Sequence, residues 1–94
     1  LIQCRGTVAI GSGYSWAADE YVYKAQGRMN CPQRWRYGRV YAYISSSFYG
    51  RTSRSYYRSQ MTGYSRASSR YSCGGAQFGA LIGSYRYYGS GTAC

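Results

Sequence analysis

Cys4, Cys31, Cys73 and Cys94 are spread almost from end to end of the chain, and this spacing limits the fold more than any other feature. The sequence has 94 residues. A single domain of that size buries only about 60% of the surface its unfolded chain exposes, so covalent staples suit it. An even cysteine count in a short chain favours a disulfide framework over free thiols. No CxxC pair occurs and histidine is absent, so a zinc site would need four widely separated thiolates to converge. Three pairings are possible. The expected one joins Cys4 to Cys94 and Cys31 to Cys73, because a bridge between the ends closes nearly the whole chain. In the chain-entropy picture that contributes roughly 4 to 5 kcal/mol. Two bridges imply an oxidising compartment, hence secretion.

No apolar run reaches about 18 residues, so no membrane-spanning helix is expected. The chain does not begin with methionine, which fits a secreted protein whose leader has been removed. Nothing in it calls for a metal or an organic cofactor, and a monomer is expected.

Charge narrows the partners. Twelve basic residues stand against Asp19 and Glu20, a formal charge of +10, which draws a protein to phosphates, anionic lipids or acidic surfaces. Eleven of the twelve are arginine. Arginine grips phosphate through a planar fork and stacks on rings, so the bias suits RNA better than a membrane surface. The plain alternative is a solvated, soluble surface. The stretch "RTSRSYYRSQMTGYSRASSRYS", residues 51 to 72, concentrates the pattern: arginine, tyrosine and serine with no acid. An aromatic content of 19% is too high for a disordered arginine/serine tail.

Periodicity predicts an α+β domain, one helix packed on an antiparallel sheet, with the whole chain 1–94 as a single unit. "CRGTVAIGSG" alternates as a short first strand ending in a glycine-flanked turn at Gly11 and Gly13. "YSWAADEYVYKAQG" places Tyr14, Ala18, Tyr21, Val22 and Ala25 on one helical face, with Ser12 or Ser15 as cap and Gly27 as stop. Asp19 and Glu20, near a helical spacing from Lys24, then belong to a solvated helix face. That helix carries acids and no basic stripe, which ranks a membrane-surface role last. After a loop around Cys31 and Pro32, "RWRYGRVYAYISSSFYG" shows strand alternation, with a bulge at Gly38 and with Val40, Ala42 and Ile44 inward. "SRSYYRSQM" continues as a strand and "MTGYSRASS" as a loop. "RYSCGGAQFGALIGSYRYY" reads as a hairpin turning at Gly74-Gly75, with Phe78, Ala80 and Ile82 toward the core. Trp16, Trp35 and Phe78 are assigned to the core.

This order of elements resembles the small secreted guanyl-specific ribonucleases of fungi. "YGRVYAY", "SYYRSQ", "SSRYSC" with Arg70, "GALIGSY" and "GSGTAC" fall where that family has its catalytic strands and closing segment. The catalytic pattern is missing. Such enzymes need a general base and a general acid that titrate near working pH, yet the base position reads Arg58, which cannot accept a proton there, and no histidine exists. The remaining description resembles the RNase-like secreted effectors of powdery mildew fungi, through "IQCRGTVAI", the following helix and "GSGTAC"; Ile2 stands where that family has an aromatic. The resemblance implies an avirulence-type effector with a catalytically inactive ribonuclease-like fold, delivered into the host cytoplasm. It would be recognised there by a plant intracellular immune receptor of the nucleotide-binding leucine-rich-repeat type.

The residues themselves point to a binding surface. Arg36, Arg39, Arg54, Arg58, Arg66 and Arg70 interleave with Tyr41, Tyr43 and Tyr56, the mixture in which arginine holds phosphate and tyrosine stacks a base. The same mixture dominates protein hot spots, so host RNA and a host protein are both open. Half of the tyrosines are expected in the core. The rival class is a cationic secreted antimicrobial or killer-type toxin; a general RNA-binding module is a further alternative.

Overall fold

The computed structural model describes residues 3–16, 19–44, 51–65 and 72–94. Seven strands form among them: β1 (Arg5–Ser15), β2 (Glu20–Asn30), β3 (Tyr37–Ile44), β4 (Arg51–Ser55), β5 (Gln60–Tyr64), β6 (Gly74–Ile82) and β7 (Tyr85–Ala93). They make two antiparallel sheets, one ordered β1-β2-β5 and the other β4-β3-β6-β7, packed face to face. Among the described residues there is no helix, so the expected α+β fold gives way to a two-sheet, all-β arrangement.

The segment read as a helix is the end of β1 and most of β2. Its apolar positions do share a helical face, but a helix of about 14 residues is marginal in water without a surface to cover it. Tyr14, Tyr21, Val22 and Tyr23 prefer strands, and β1 supplies a partner over the full 11-residue length, from Arg5 opposite Asn30 to Ser15 opposite Glu20. Ala25, Gly27 and Met29 then face inward at the two-residue period. Gly27 is no helix stop. A Cβ there would meet the Cβ of Ala76 at 2.5 Å, so its missing side chain lets the two sheets approach.

Opposite it, Val40, Ala42 and Ile44 of β3 and Ala76, Phe78, Ala80 and Ile82 of β6 are buried, as their alternation predicts. Trp35, fully buried, enters the core just before β3 and lies over Gly38, where a Cβ would fall 2.4 Å from the indole. Gly38 pairs regularly with Ala80 and with Ser55, so it marks no bulge. It leaves room for a ring.

The other boundaries shift for local reasons. The expected strand over 53–61 is broken by a corner at residues 56–59, where the chain crosses from the four-stranded sheet to the other. Two backbone bonds pin it: Trp35 N–H donates to Arg58 O at 2.7 Å and Cys31 N–H donates to Ser59 O at 2.8 Å. The residues expected to begin a loop, 61–64, belong to β5, which adds to β2 from Met61 opposite Met29 to Tyr64 opposite Gln26. Ser65 extends that pairing: its N–H donates to Ala25 O, and its buried Oγ accepts from Ala25 N–H at 2.7 Å. The final hairpin turns at Gly83-Ser84, with Gly83 at φ 61°, and Gly74-Gly75 lie inside β6.

Both disulfides form, but with different partners from those expected. Cys4 joins Cys31, and Cys73 joins Cys94. The register explains the pairing. Cys4 and Cys31 flank the matched pair Arg5 and Asn30, while Cys73 and Cys94 flank Gly74 and Ala93. Each bridge therefore closes the open end of one hairpin. A bridge over the longest loop would stabilise most in the chain-entropy picture, but strand pairing decides which sulfurs meet.

Candidate anion-binding face

Because β3 buries Val40, Ala42 and Ile44, its other side chains, Tyr37, Arg39, Tyr41 and Tyr43, must point away from the core. Register extends this outer face across the sheet. Arg54 of β4 lies directly opposite Arg39, which lies beside Gly79 of β6, which lies beside Tyr88 of β7. The next row runs Thr52, Tyr41, Gln77 and Ser90.

Gly79 makes this face concave. A Cβ built on it would meet nothing nearer than 3.9 Å, so the floor between β3 and β7 stays open. The resulting trough, about 480 Å³, is lined by Arg39, Tyr41, Gln77, Gly79, Tyr88 and Ser90. One row along, the floor is closed: the Tyr43 hydroxyl lies over Gly75, and the Tyr43 ring stacks with that of Tyr41 at 5.9 Å.

Arg39 and Arg54 are both exposed. Like charges directly opposite on one sheet face repel, and no salt bridge is formed on this face among the described residues. The pair therefore favours an anion between or beside it.

A second concavity, about 630 Å³, lies at the β4–β5 corner and is lined by Arg34, Tyr56, Tyr57, Arg58, Ser59 and Gln60. Tyr56 and Tyr57 are 63% and 69% exposed. Tyr57 adopts φ 55°, a left-handed backbone that a bulky residue rarely takes. The corner connects with the sheet face through Tyr37, whose ring meets that of Tyr56 edge-on at 5.3 Å.

The structure thus brings Arg39, Tyr41, Tyr43 and Arg54 onto one face and places Tyr56 and Arg58 at its corner. Arg36 is exposed at the entry to β3, where its N–H donates to Leu81 O. Arg66 and Arg70 lie outside the described residues. Among the lining residues that sequence reasoning missed are Gly79, Tyr88 and Arg34. The alternation of "SYRYYGSG" carried the signal for Tyr88, but finding it required the Gly83-Ser84 turn, which sets Tyr88 opposite Gly79.

The tyrosines also fall differently from expectation. Among the described residues none is buried; Tyr37, Tyr41, Tyr43 and Tyr87 are half-buried and the rest exposed. Trp16, expected in the core, is 88% exposed. Compared with known protein families, curated proteins and solved structures, the chain matches none.

Proposed function

We propose that the chain is a secreted, disulfide-stapled binding protein without catalytic activity, and that the outer face of its four-stranded sheet binds single-stranded RNA. The supporting observation is the row Arg54–Arg39–Gly79–Tyr88: two exposed guanidiniums, without an ion pair among the described residues, beside an open floor and an exposed ring. Arginine neutralises phosphate there, and Tyr88 and Tyr41 offer stacking surfaces, the combination that holds single strands without reading sequence. The Tyr56–Arg58 corner extends the same chemistry for a further nucleotide.

The ribonuclease-like scaffold is not carried into this proposal, because the helix on which it was aligned is a strand. The effector role remains within the proposal as binding alone, acting on host RNA or a host receptor through this face. The absence of histidine from the sequence supports a role without acid–base turnover of RNA.

Fluorescence anisotropy of a short labelled single strand across a salt series tests the reading, with the same RNA scored for cleavage. Log affinity should fall with log salt at about −0.7 per phosphate contact. Arg39→Ala should flatten the slope by one contact, and Tyr88→Ala should weaken binding by about 1 to 3 kcal/mol while leaving the slope unchanged. A salt-independent signal, or cleavage that persists through purification, would sink it.

A further inference from the structure

The molecule is long and narrow, 45 × 21 × 18 Å, and among the described residues the β1–β2 ladder runs on past the end of β5. Among the described residues β5 pairs with β2 as far as Gln26 and Ser65 bonds Ala25 just beyond, while β2 begins at Glu20. Six residues of strand span about 20 Å. Along this stretch Ile10–Ala25, Ser12–Tyr23 and Tyr14–Tyr21 succeed one another on one side of the ribbon, continuing the row that faces the core lower down. Trp16 follows at the end. Tyr14 is the centre of a small aromatic group, with the ring of Trp16 at 5.0 Å and that of Tyr21 at 5.4 Å, both nearly perpendicular to it. Trp16 and Tyr21 are 88% and 79% exposed.

The chain's only two acidic residues, Asp19 and Glu20, sit at this same tip. Tyr14 donates its hydroxyl hydrogen to Asp19, which ties one carboxylate to the aromatic group. The ribbon segments 10–16 and 19–25 carry Asp19, Glu20 and Lys24, a net charge of −1, although the molecule carries +10.

We infer that this tip docks in the Gly79 trough of a second copy of the chain, giving a head-to-tail contact. Both halves of the contact are present on one molecule. The tip offers an indole and two carboxylates; the trough offers an open glycine floor, Tyr88 on one wall, and on the other Arg39 repelled by Arg54. A carboxylate relieves that repulsion, and the Trp16 ring over the Arg39 guanidinium gains a cation–π contact. A ring with a carboxylate presents to this face the same chemistry as a base with a phosphate. The inference stands without RNA binding, since it needs only that the face take an anion beside a ring.

Two consequences follow from geometry and charge. The surfaces differ, so the contact is heterologous and propagates into a ring or an open chain instead of stopping at a symmetric dimer. The contact also forms against the mutual repulsion of two strongly basic molecules, which makes the association weak and visible only at high protein concentration.

Sedimentation equilibrium of the oxidised chain at physiological salt, without RNA, tests this. One variant removes the tip, Trp16→Ala with Glu20→Gln; another removes the trough, Arg39→Ser with Tyr88→Ala. All four positions are exposed, and circular dichroism confirms that each variant folds. The wild-type average mass should climb with concentration above the 10.6 kDa monomer. Each variant alone should remain monomeric, and an equimolar mixture should form a species of twice that mass and nothing larger, because each partner supplies the half the other lacks. A monomeric wild type leaves the tip to a foreign partner and overturns the inference. So does association of either variant alone, which indicates a symmetric tip-to-tip contact, or a mixture that stays monomeric. Loss of RNA binding in the separate anisotropy experiment leaves these outcomes unchanged, so the two readings fail independently.

Discussion

Gly27 offers the sharpest test of how this fold is held together. Its Cα faces Ala76 across the two sheets, and a methyl group added there would sit 2.5 Å from Ala76 Cβ and 3.1 Å from Val40 Cγ1. Carbon atoms in contact prefer about 3.5 to 4.0 Å. The sheets must therefore part locally by about 1 Å, in a core whose neighbours are fully buried and have nowhere to move. Overpacking of this kind costs about 1 to 3 kcal/mol, which lowers the melting temperature by roughly 4 to 8 °C per kcal/mol in a chain this small. Gly11→Ala is the control: the same substitution in the same ladder, with nothing within 4 Å, should be neutral or slightly stabilising. Ala76→Gly alone loses one buried methyl, about 0.8 kcal/mol, together with backbone entropy of about 0.5 to 1 kcal/mol. Combined with Gly27→Ala it should restore the spacing, so the double variant should be more stable than the sum of the singles by about 1 kcal/mol or more. Thermal and urea unfolding followed by circular dichroism give all four corners of the cycle. If Gly27→Ala matches Gly11→Ala, or the singles simply add, close approach at this point does not set the packing.

Further predictions concern the staples, the buried polar contact and the tip. Peptide mapping without reduction should recover Cys4 linked to Cys31 and Cys73 linked to Cys94. From sequence separations of 27 and 21, removing either bridge as a Cys→Ser pair should cost about 3.5 kcal/mol, and removing both should unfold the chain at room temperature. Ser65→Ala leaves the Ala25 N–H without its side-chain acceptor and should destabilise by about 1 to 3 kcal/mol in urea unfolding, with Ser65→Thr recovering part of the loss. Tyr14 titrates above its ordinary value of 10.0, because its hydroxyl donates to Asp19 and, to a lesser degree, because of desolvation. A raised folded-state pKa means that the contact's stabilisation is complete below pH 10.0 and is lost as pH rises through the raised value. Tyrosinate absorbance of wild type minus Asp19→Asn should show one phenol moving to lower pH in the variant; superimposable curves would refute the bond.

Much of the four-stranded sheet was legible because its signal is local. Val40, Ala42 and Ile44, and Phe78, Ala80 and Ile82, alternate so regularly that direction and face follow from period alone. The orientation of Tyr41 and Tyr43 followed from the same rule. The helix failed for a reason that period cannot supply. Residues 14 to 27 satisfy a helical stripe and a strand ladder about equally, and the choice rests on a partner strand, β1, whose length the sequence understated. Gly11 and Gly13 read as a turn, yet both lie within the ladder, where open space around them makes their lack of a side chain inexpensive. The disulfides were misjudged for a related reason. Loop entropy was considered without the register, and the register places the cysteines at the mouths of two hairpins.

The expectation that half the tyrosines would fill the core assumed a core thick enough to hold rings. The inner faces instead carry glycine, alanine and valine at the points of closest approach, with Trp35 and Phe78 as the large rings between the sheets. With the sheets that close, a strand that turns a small residue inward must turn its larger neighbour outward, so the glycines of this chain and its surface tyrosines are one design seen from two sides. The two outer faces then separate by composition. That of β1-β2-β5 presents Arg5, Thr7, Gln26, Arg28, Gln60 and Thr62, a polar surface with Tyr64 as its ring, held near Gln26 Nε2 at 3.4 Å. That of β4-β3-β6-β7 presents Tyr37, Tyr41, Tyr43 and Tyr88 with Arg39, Arg54 and Arg86. Solubility alone would be served by the first kind of surface on both sides. Concentrating rings and guanidiniums on one side leaves exposed aromatic area that water does not favour, and a ligand that covers the rings while neutralising the arginines removes both penalties together. Substituting Tyr41 and Tyr88 by Ser should therefore leave the melting temperature nearly unchanged, since neither ring is in the core, while abolishing retention on single-stranded RNA; a large loss of stability would return these tyrosines to a structural role.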